Sequence, residues 1–254
     1  MNEEKVIGIV GGMGPESGIM LCNYINCLTP VTKDQEHFSV ILMSFPKLIV
    51  DRTAFLDGET AINPAFQIAK IIAKLETAGA SIIGIACNTA HSDVIFDQIK
   101  KELSTGMSTV KLLHMPEITC NQLAYQFPEV RKVGVISTNG TYKSKIYEQL
   151  LKEKGYEVVL PDVVFQNEVV HKMIYDADFG IKANPNIRTQ EVRQLKNKTL
   201  EFFSKNNVEA IILGCTELSL IFFDDIPGIK IIDSTMSLAK ALVEEASVKQ
   251  FSTI

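Results

Sequence analysis

The amino-acid sequence predicts an α/β protein of parallel sheets, made from two related halves. Three observations predict it. Short β-branched runs alternate with helix-length stretches, one strand-and-turn pattern occurs twice, and each copy is followed at a similar distance by a strand that ends in a cysteine.

The strand-like runs are residues 5–10, 39–43, 81–85, 110–113, 133–136, 157–160, 210–213 and 230–232. Strands that alternate with helices in this way imply βαβ units around sheets covered on both faces. Between them, residues 64–78 carry Phe66, Ile68, Ala69, Ile72 and Leu75 near one helical face, and Gly79 is the expected stop. Residues 192–206 read as another helix, and residues 179–189, rich in Gly, Asn and Pro, as a long loop. No stretch has linker composition, so any boundary between halves must be compact.

The repeat is the stretch Ile7-Gly8-Ile9-Val10-Gly11-Gly12-Met13-Gly14, which recurs as Val133-Gly134-Val135-Ile136-Ser137-Thr138-Asn139-Gly140. By difference of residue numbers, Gly8 lies about 79 positions before Cys87, and Gly134 about 81 before Cys215. Duplicated halves facing one another across a cleft would bring these two cysteines together.

With 254 residues and 46% hydrophobic content the chain can bury a substantial core. A net charge of -5 and a pI near 5.5 give no electrostatic reason to expect nucleic acid or an anionic membrane surface as partner. No apolar run approaches the roughly 20 residues a spanning helix needs, and the first residues lead straight into a strand, so the expected location is the cytoplasm. Five cysteines, an odd number, argue for reduced thiols rather than a disulfide framework. Without a Cys-x-x-Cys pair or a His-x-x-x-His spacing, no metal is expected.

The strongest local signal is Ile82-Ile83-Gly84-Ile85-Ala86-Cys87-Asn88-Thr89-Ala90-His91, an apolar strand that ends at a cysteine and opens through Asn88 and Thr89 into an expected helix. Ligands bind at the carboxyl ends of such strands, and a helix amino terminus favours anions and thiolate. Ile211-Ile212-Leu213-Gly214-Cys215-Thr216-Glu217 repeats the arrangement. An isolated strand-end cysteine reads as core; the matched pair reads as chemistry. Two opposed thiols suit inversion at a carbon bearing a proton, one thiolate removing the proton and the other thiol delivering one to the opposite face. The weakly acidic α-carbon requires donors on the substrate carboxylate, for which Asn88, Thr89, Thr216 and nearby backbone amides are candidates.

The turn Gly11-Gly12-Met13-Gly14-Pro15 fits neither a dinucleotide fingerprint nor a P-loop. Pro15 suits a first helical turn, and the amides before it are open to a carboxylate, so the turn serves either substrate contact or chain geometry. Cys22, Cys27 and Cys120 are expected to pack. His91, four residues after Cys87, is either a packing or capping residue or a group that tunes the thiol.

Taken together, Gly11-Gly12-Met13-Gly14-Pro15, Asp34-Gln35-Glu36-His37, Asp51-Arg52-Thr53-Ala54, Cys87-Asn88-Thr89-Ala90-His91 and Gly214-Cys215-Thr216-Glu217 resemble the aspartate/glutamate racemase family, in its aspartate racemase branch. The resemblance implies two pseudo-symmetric flavodoxin-like domains with the active site in the cleft between them. Their expected extents are 1–113 with 229–254, and 114–228. It also implies a homodimer acting on a small amino acid without cofactor. By position Cys87 and Cys215 become the two bases, Asn88, Thr89 and Thr216 hold the α-carboxylate, and Arg52 takes the side-chain carboxylate. Met13, Gly14, Thr138 and Glu217 complete the expected contacts.

Two positions depart from the family pattern. Ala86 stands where a proline usually precedes the first cysteine, and Asp178-Phe179 occupies the stretch where a lysine is expected, leaving Lys182 as its candidate replacement. Aspartate is the expected substrate, with glutamate next. The competing readings are a related hydantoin racemase, maleate isomerase or decarboxylase, a non-catalytic amino-acid-binding protein, and a cysteine hydrolase using His91 as base.

Overall fold

The computed structural model describes residues 5–184, 189–222 and 227–247. Among them, eight strands form two four-stranded parallel sheets. The first contains β1 (Val6–Gly11), β2 (Val40–Ser44), β3 (Ala80–Ile85) and β4 (Lys111–Leu112), in the order β2-β1-β3-β4. The second contains β5 (Lys132–Ser137), β6 (Glu157–Val159), β7 (Ala210–Gly214) and β8 (Lys230–Asp233), in the equivalent order β6-β5-β7-β8. Each expected strand is present, its ends displaced by a residue or two. The fold is thus α/β with two flavodoxin-like sheets of the same topology.

The helices are α1 (Pro15–Leu28), α2 (Arg52–Leu56), α3 (Ala65–Thr77), α4 (Asp93–Thr105), α5 (Met115–Gln126), α6 (Asn139–Ser144) and α7 (Ile146–Glu153). After β6, α8 (Val163–Phe165), a π turn over Gln166–His171 and α9 (Lys172–Tyr175) run on from one another. α10 (Gln190–Lys205) precedes β7, and α11 (Ser234–Ser247) follows β8. Of the loop expected at 179–189, residues 185–188 lie outside the described residues.

Both faces of the first sheet are covered, as the unbroken apolar strands require. Val10, Ile83 and Ile85 pack with Ile68, Ile72 and Leu75 of α3 and Ile95 and Ile99 of α4, whereas Ile7, Ile9 and Ile82 pack with Leu21 and Ile25 of α1 and Leu238 and Leu242 of α11. Each fully buried Ile or Leu contributes about 1.5–3 kcal/mol of apolar transfer. In the second sheet Val133, Val135 and Ile212 meet Cys120, Tyr147 and Leu151, while Ile136, Ile211 and Leu213 meet Met173, Ile174 and Phe203.

Three expectations need correction. Phe66 is 44% exposed, and Ile71 takes its place on the buried stripe of α3. Cys27 is exposed rather than packed. The expected extents put 229–254 in the first half, but β8 pairs with β7 in the second sheet, and only α11 returns to pack on α1 and β3. The chain therefore crosses back between Asp233 and Ser234.

Candidate active site

In each sheet the strand order reverses between the first strand and its central partner, β1/β3 and β5/β7, and the carboxyl ends at such a point form a crevice. Cys87 follows β3 and Cys215 follows β7. The two crevices face each other. One small cavity is lined by Met13, Arg52, Cys87, Asn88, Thr89, Thr138, Tyr175, Lys182, Cys215, Thr216 and Glu217.

The approach of the halves is reciprocal and uses the repeated turns. Gly140, in the second turn, lies so close to the first half that a Cβ there would stand 2.6 Å from Thr89 Cγ2 and 2.7 Å from Thr53 Oγ1. Gly14, its counterpart in the first turn, would place a Cβ 3.1 Å from Glu217 Oε1. Thr89 and Glu217 each stand two residues after a cysteine. Hydrogen bonds follow the same exchange: Thr89 Oγ1 lies 2.8 Å from Thr141 Oγ1 and 3.2 Å from Thr138 Oγ1, and Ser17 Oγ lies 2.7 Å from Thr216 Oγ1.

The two thiols sit in opposite electrostatic surroundings. Cys215 donates to Glu217 Oε2 at 3.0 Å. Burial first, and the Glu217 carboxylate second, push its thiol far above the ordinary range. Glu217 is itself buried, which alone would favour its neutral form. Lys182 at 2.5 Å, the Cys215 thiol and the Gly14 amide at 3.0 Å override that and hold the carboxyl down at about 2. Lys182, in return, is raised above its usual value despite burial, chiefly by Glu217, and its ammonium lies 5.2 Å from the Tyr175 ring centroid.

Cys87 instead lies against the guanidinium of Arg52. That arginine opens α2 behind an Asp51 cap, whose side chain accepts from the Ala54 amide at 3.0 Å. Only 6% exposed, it reaches the carbonyls of Val50 and Met13 at 3.3 Å and leaves Nε buried without a partner. A buried guanidinium short of acceptors has donor capacity of the kind that a carboxylate satisfies.

Of the residues expected to act on or contact the substrate, all but Gly14 line the cavity. The Gly14 amide, expected to be open to a carboxylate, is taken by Glu217. Asn88 lines the cavity, but its side chain is held by Tyr147 and Ser234. The expected helices after the cysteines are 3-10 turns, Thr89–His91 and Thr216–Leu220, and α4 begins only after its own cap at Ser92. His91 does not reach the Cys87 thiol: its Nδ1 lies 2.8 Å from the Cys87 carbonyl oxygen, and its ring stacks on Phe96. Burial, followed by the neighbouring His114, pushes its pKa down to about 3, so it is a neutral packing residue and no base.

Sequence reasoning missed Tyr175, which donates to Asp51 Oδ2 at 3.0 Å across the halves and stacks on His171. Its only sequence signal was adjacency to the stretch from which the family lysine is missing. Among the described residues, no cluster of three or more His, Cys, Asp or Glu side chains could hold a metal ion. No helix there is long and apolar enough to cross a membrane.

Comparison with known proteins gives this geometry a context. The sequence model of the Asp/Glu/Hydantoin racemase family matches residues 10–242. A curated protein named broad specificity amino-acid racemase, from Bacillus subtilis, is 30% identical over 244 residues, covering 94% of this chain and 96% of its own. The structure of Picrophilus torridus aspartate racemase superposes with a TM-score of 0.78 at 29% identity, covering 95% of this chain and 94% of that one. An aspartate racemase homologue from Pyrococcus horikoshii gives 0.71 at 26% identity, over 97% and 100% of the two chains.

Proposed function

The chain belongs to the Asp/Glu/hydantoin racemase family, and from that premise we propose that it inverts acidic amino acids at the α-carbon by transferring protons between Cys87 and Cys215, without a cofactor. The observation that carries this reading is that both thiols, from different sheets, line one small cavity beside a buried arginine with an unmatched Nε.

In the mechanism we infer, the substrate α-carbon lies between the sulfurs. Cys215 carries the proton in the resting enzyme, held as a thiol by burial and by the carboxylate it donates to. Cys87, beside Arg52, removes the α-proton from one face as Cys215 delivers one to the other. That delivery leaves Cys215 a thiolate, whose charge Lys182 compensates, and for the return direction the roles swap. Negative charge developing on the α-carboxylate meets the Thr89 hydroxyl and the amides of the Cys87 and Cys215 turns, while the Thr216 hydroxyl, which donates to Glu217 Oε2 at 3.2 Å, must turn from that carboxylate to join them. Thr138 and Met13 close the walls, and Arg52 offers a planar fork to the side-chain carboxylate.

A second reading concerns substrate breadth. The charge of Lys182 is already offset by Glu217, so the cation left to meet an acidic side chain is Arg52, whose Nε is unmatched and whose ion pair with Asp51 is long, at 3.9 Å. This favours tolerance of amino acids with neutral side chains beside aspartate and glutamate, in keeping with the name of the Bacillus subtilis relative. Chiral chromatography of a panel of single-enantiomer amino acids, incubated with the purified protein, tests both readings. Inversion of aspartate or glutamate supports the first and inversion of neutral amino acids as well supports the second. Binding without inversion of any would favour a non-catalytic amino-acid-binding protein. A homodimer in the cytoplasm belongs to the same proposal, and light scattering on the eluting protein checks its mass.

A further inference from the structure

The segments that carry the two thiols are joined by a buried chain of hydrogen bonds. Tyr147 Oη donates to Asn88 Oδ1 at 2.5 Å, Asn88 Nδ2 donates to Ser234 Oγ at 3.0 Å, and Ser234 Oγ donates to the Leu213 carbonyl at 2.7 Å. Asn88 directly follows Cys87, and Leu213 lies two residues before Cys215. Ser234 is the first residue of α11, at the point where the chain leaves the second sheet for the first.

The direction of each bond is fixed by chemistry. The one hydroxyl hydrogen of Ser234 goes to a carbonyl, which can only accept, so its oxygen must accept from the Asn88 amide nitrogen. That orientation turns the Asn88 carbonyl oxygen toward Tyr147, whose phenol is neutral and donates. Tyr147 and Asn88 are each 2% exposed and Ser234 is 0% exposed, so no bulk water substitutes for a lost partner. The chain links the first cysteine's turn to α7, to β7 and to α11 at once. Neither Tyr147 nor Ser234 lines the cavity.

We propose that Tyr147 and Ser234 are positioning residues that set the separation of the Cys87 and Cys215 sulfurs through Asn88. The inference rests on the two-thiol reading above. Removing a proton needs one thiol in place, but inversion needs the second at the correct distance on the opposite face. Reacting groups displaced by about 1 Å can lose roughly 100-fold in rate. Loosening the link therefore uncouples the two transfers: the proton is removed and returned to the same face more often than it is replaced from the other.

The test uses Ser234→Ala and Tyr147→Phe, the second of which keeps the ring that packs beside Leu151. Wild type and variants are incubated in deuterium oxide with each enantiomer of the amino acid inverted fastest by wild type. Inversion is followed by chiral chromatography and α-deuterium in the unconverted enantiomer by mass spectrometry. The expected result is a fall in kcat of about 10- to 100-fold with KM within about threefold of wild type. The ratio of deuterium exchange with retention to inversion should rise in both variants. A purely structural loss of folded enzyme lowers exchange and inversion together and leaves that ratio fixed. Unchanged ratios, or unchanged kcat, in variants of an inverting wild type would overturn the positioning role alone. A wild type that neither inverts nor exchanges any amino acid would overturn the two-thiol reading and this inference with it.

Discussion

The thiol of Cys215 donates to the carboxylate of Glu217 across 3.0 Å, two residues further along the chain. That contact makes the two cysteines unequal: one faces an anion anchored by Lys182, the other a guanidinium. Replacing Glu217 by Gln removes the anion and leaves the partly buried Lys182 without its carboxylate. Cys215 should then ionise more readily, read as several-fold faster alkylation of Cys215 at neutral pH by peptide mass spectrometry. The unpaired lysine should cost about 3–5 kcal/mol of stability. Lys182→Met together with Glu217→Gln should recover much of that loss, and strictly additive losses in the double variant would contradict the coupling.

In the proposed function Arg52 offers its guanidinium to the side-chain carboxylate, from a site where its Nε has no partner. Arg52→Lys keeps the charge but loses the planar fork, so kcat/KM for aspartate should fall about 10- to 100-fold. If lysine supports the wild-type value, the arginine is acting as a point charge and the assigned role fails.

Legibility in the sequence followed from what each feature depends on. The strands were readable because a β-branched run buried on both faces leaves no alternative nearby, and the cysteines were readable because each repeats the other's setting. Phe66 was misplaced because helical periodicity gives a stripe about 100° wide and cannot distinguish its edge from its centre. The turn after Cys87 was misread for a different reason. Asn88 and Thr89 are good caps locally, but residues 88–92 are all buried, and the Asn88 side chain is spent on Tyr147 and Ser234 instead. Tyr175 and Ser234 become neighbours of the site only through long-range packing, for which one sequence carries no periodic signal.

Gly140 marks a close approach of the two halves. A methyl group there would stand 2.6 Å from Thr89 Cγ2 and 2.7 Å from Thr53 Oγ1, so those side chains must shift, with Thr53 Cα tight at 3.2 Å. Gly140→Ala should cost about 1–3 kcal/mol and lower kcat, since the strain falls on the turn that follows Cys87. Unaltered melting and unaltered kcat would show that the halves do not need this contact.

Acid stability should depend on His91 before it depends on Glu217. His91 is held neutral in the folded protein, with its pKa lowered from 6.5 to about 3, so the unfolded chain binds its proton first. The stability this confers is present above about pH 6.5 and lost as the pH falls toward 3. Glu217, lowered from 4.5 to about 2, adds its loss only below about 4.5. Urea unfolding of His91→Gln between pH 6.5 and 4.5 should show a pH slope shallower by up to about 1.4 kcal/mol per unit. An identical slope would mean that His91 is protonated in the folded state.

The central claim is that two sulfurs act on opposite faces of one α-carbon. It is tested most directly by incubating wild type, Cys87→Ala and Cys215→Ala with L- and D-aspartate in deuterium oxide and measuring inversion and α-deuteration together. The account predicts that wild type converts each enantiomer to an α-deuterated product, and that neither variant inverts either enantiomer. Any exchange remaining in the variants should be with retention, confined to the enantiomer whose α-proton faces the surviving thiol. Inversion at the wild-type rate in either variant would contradict it.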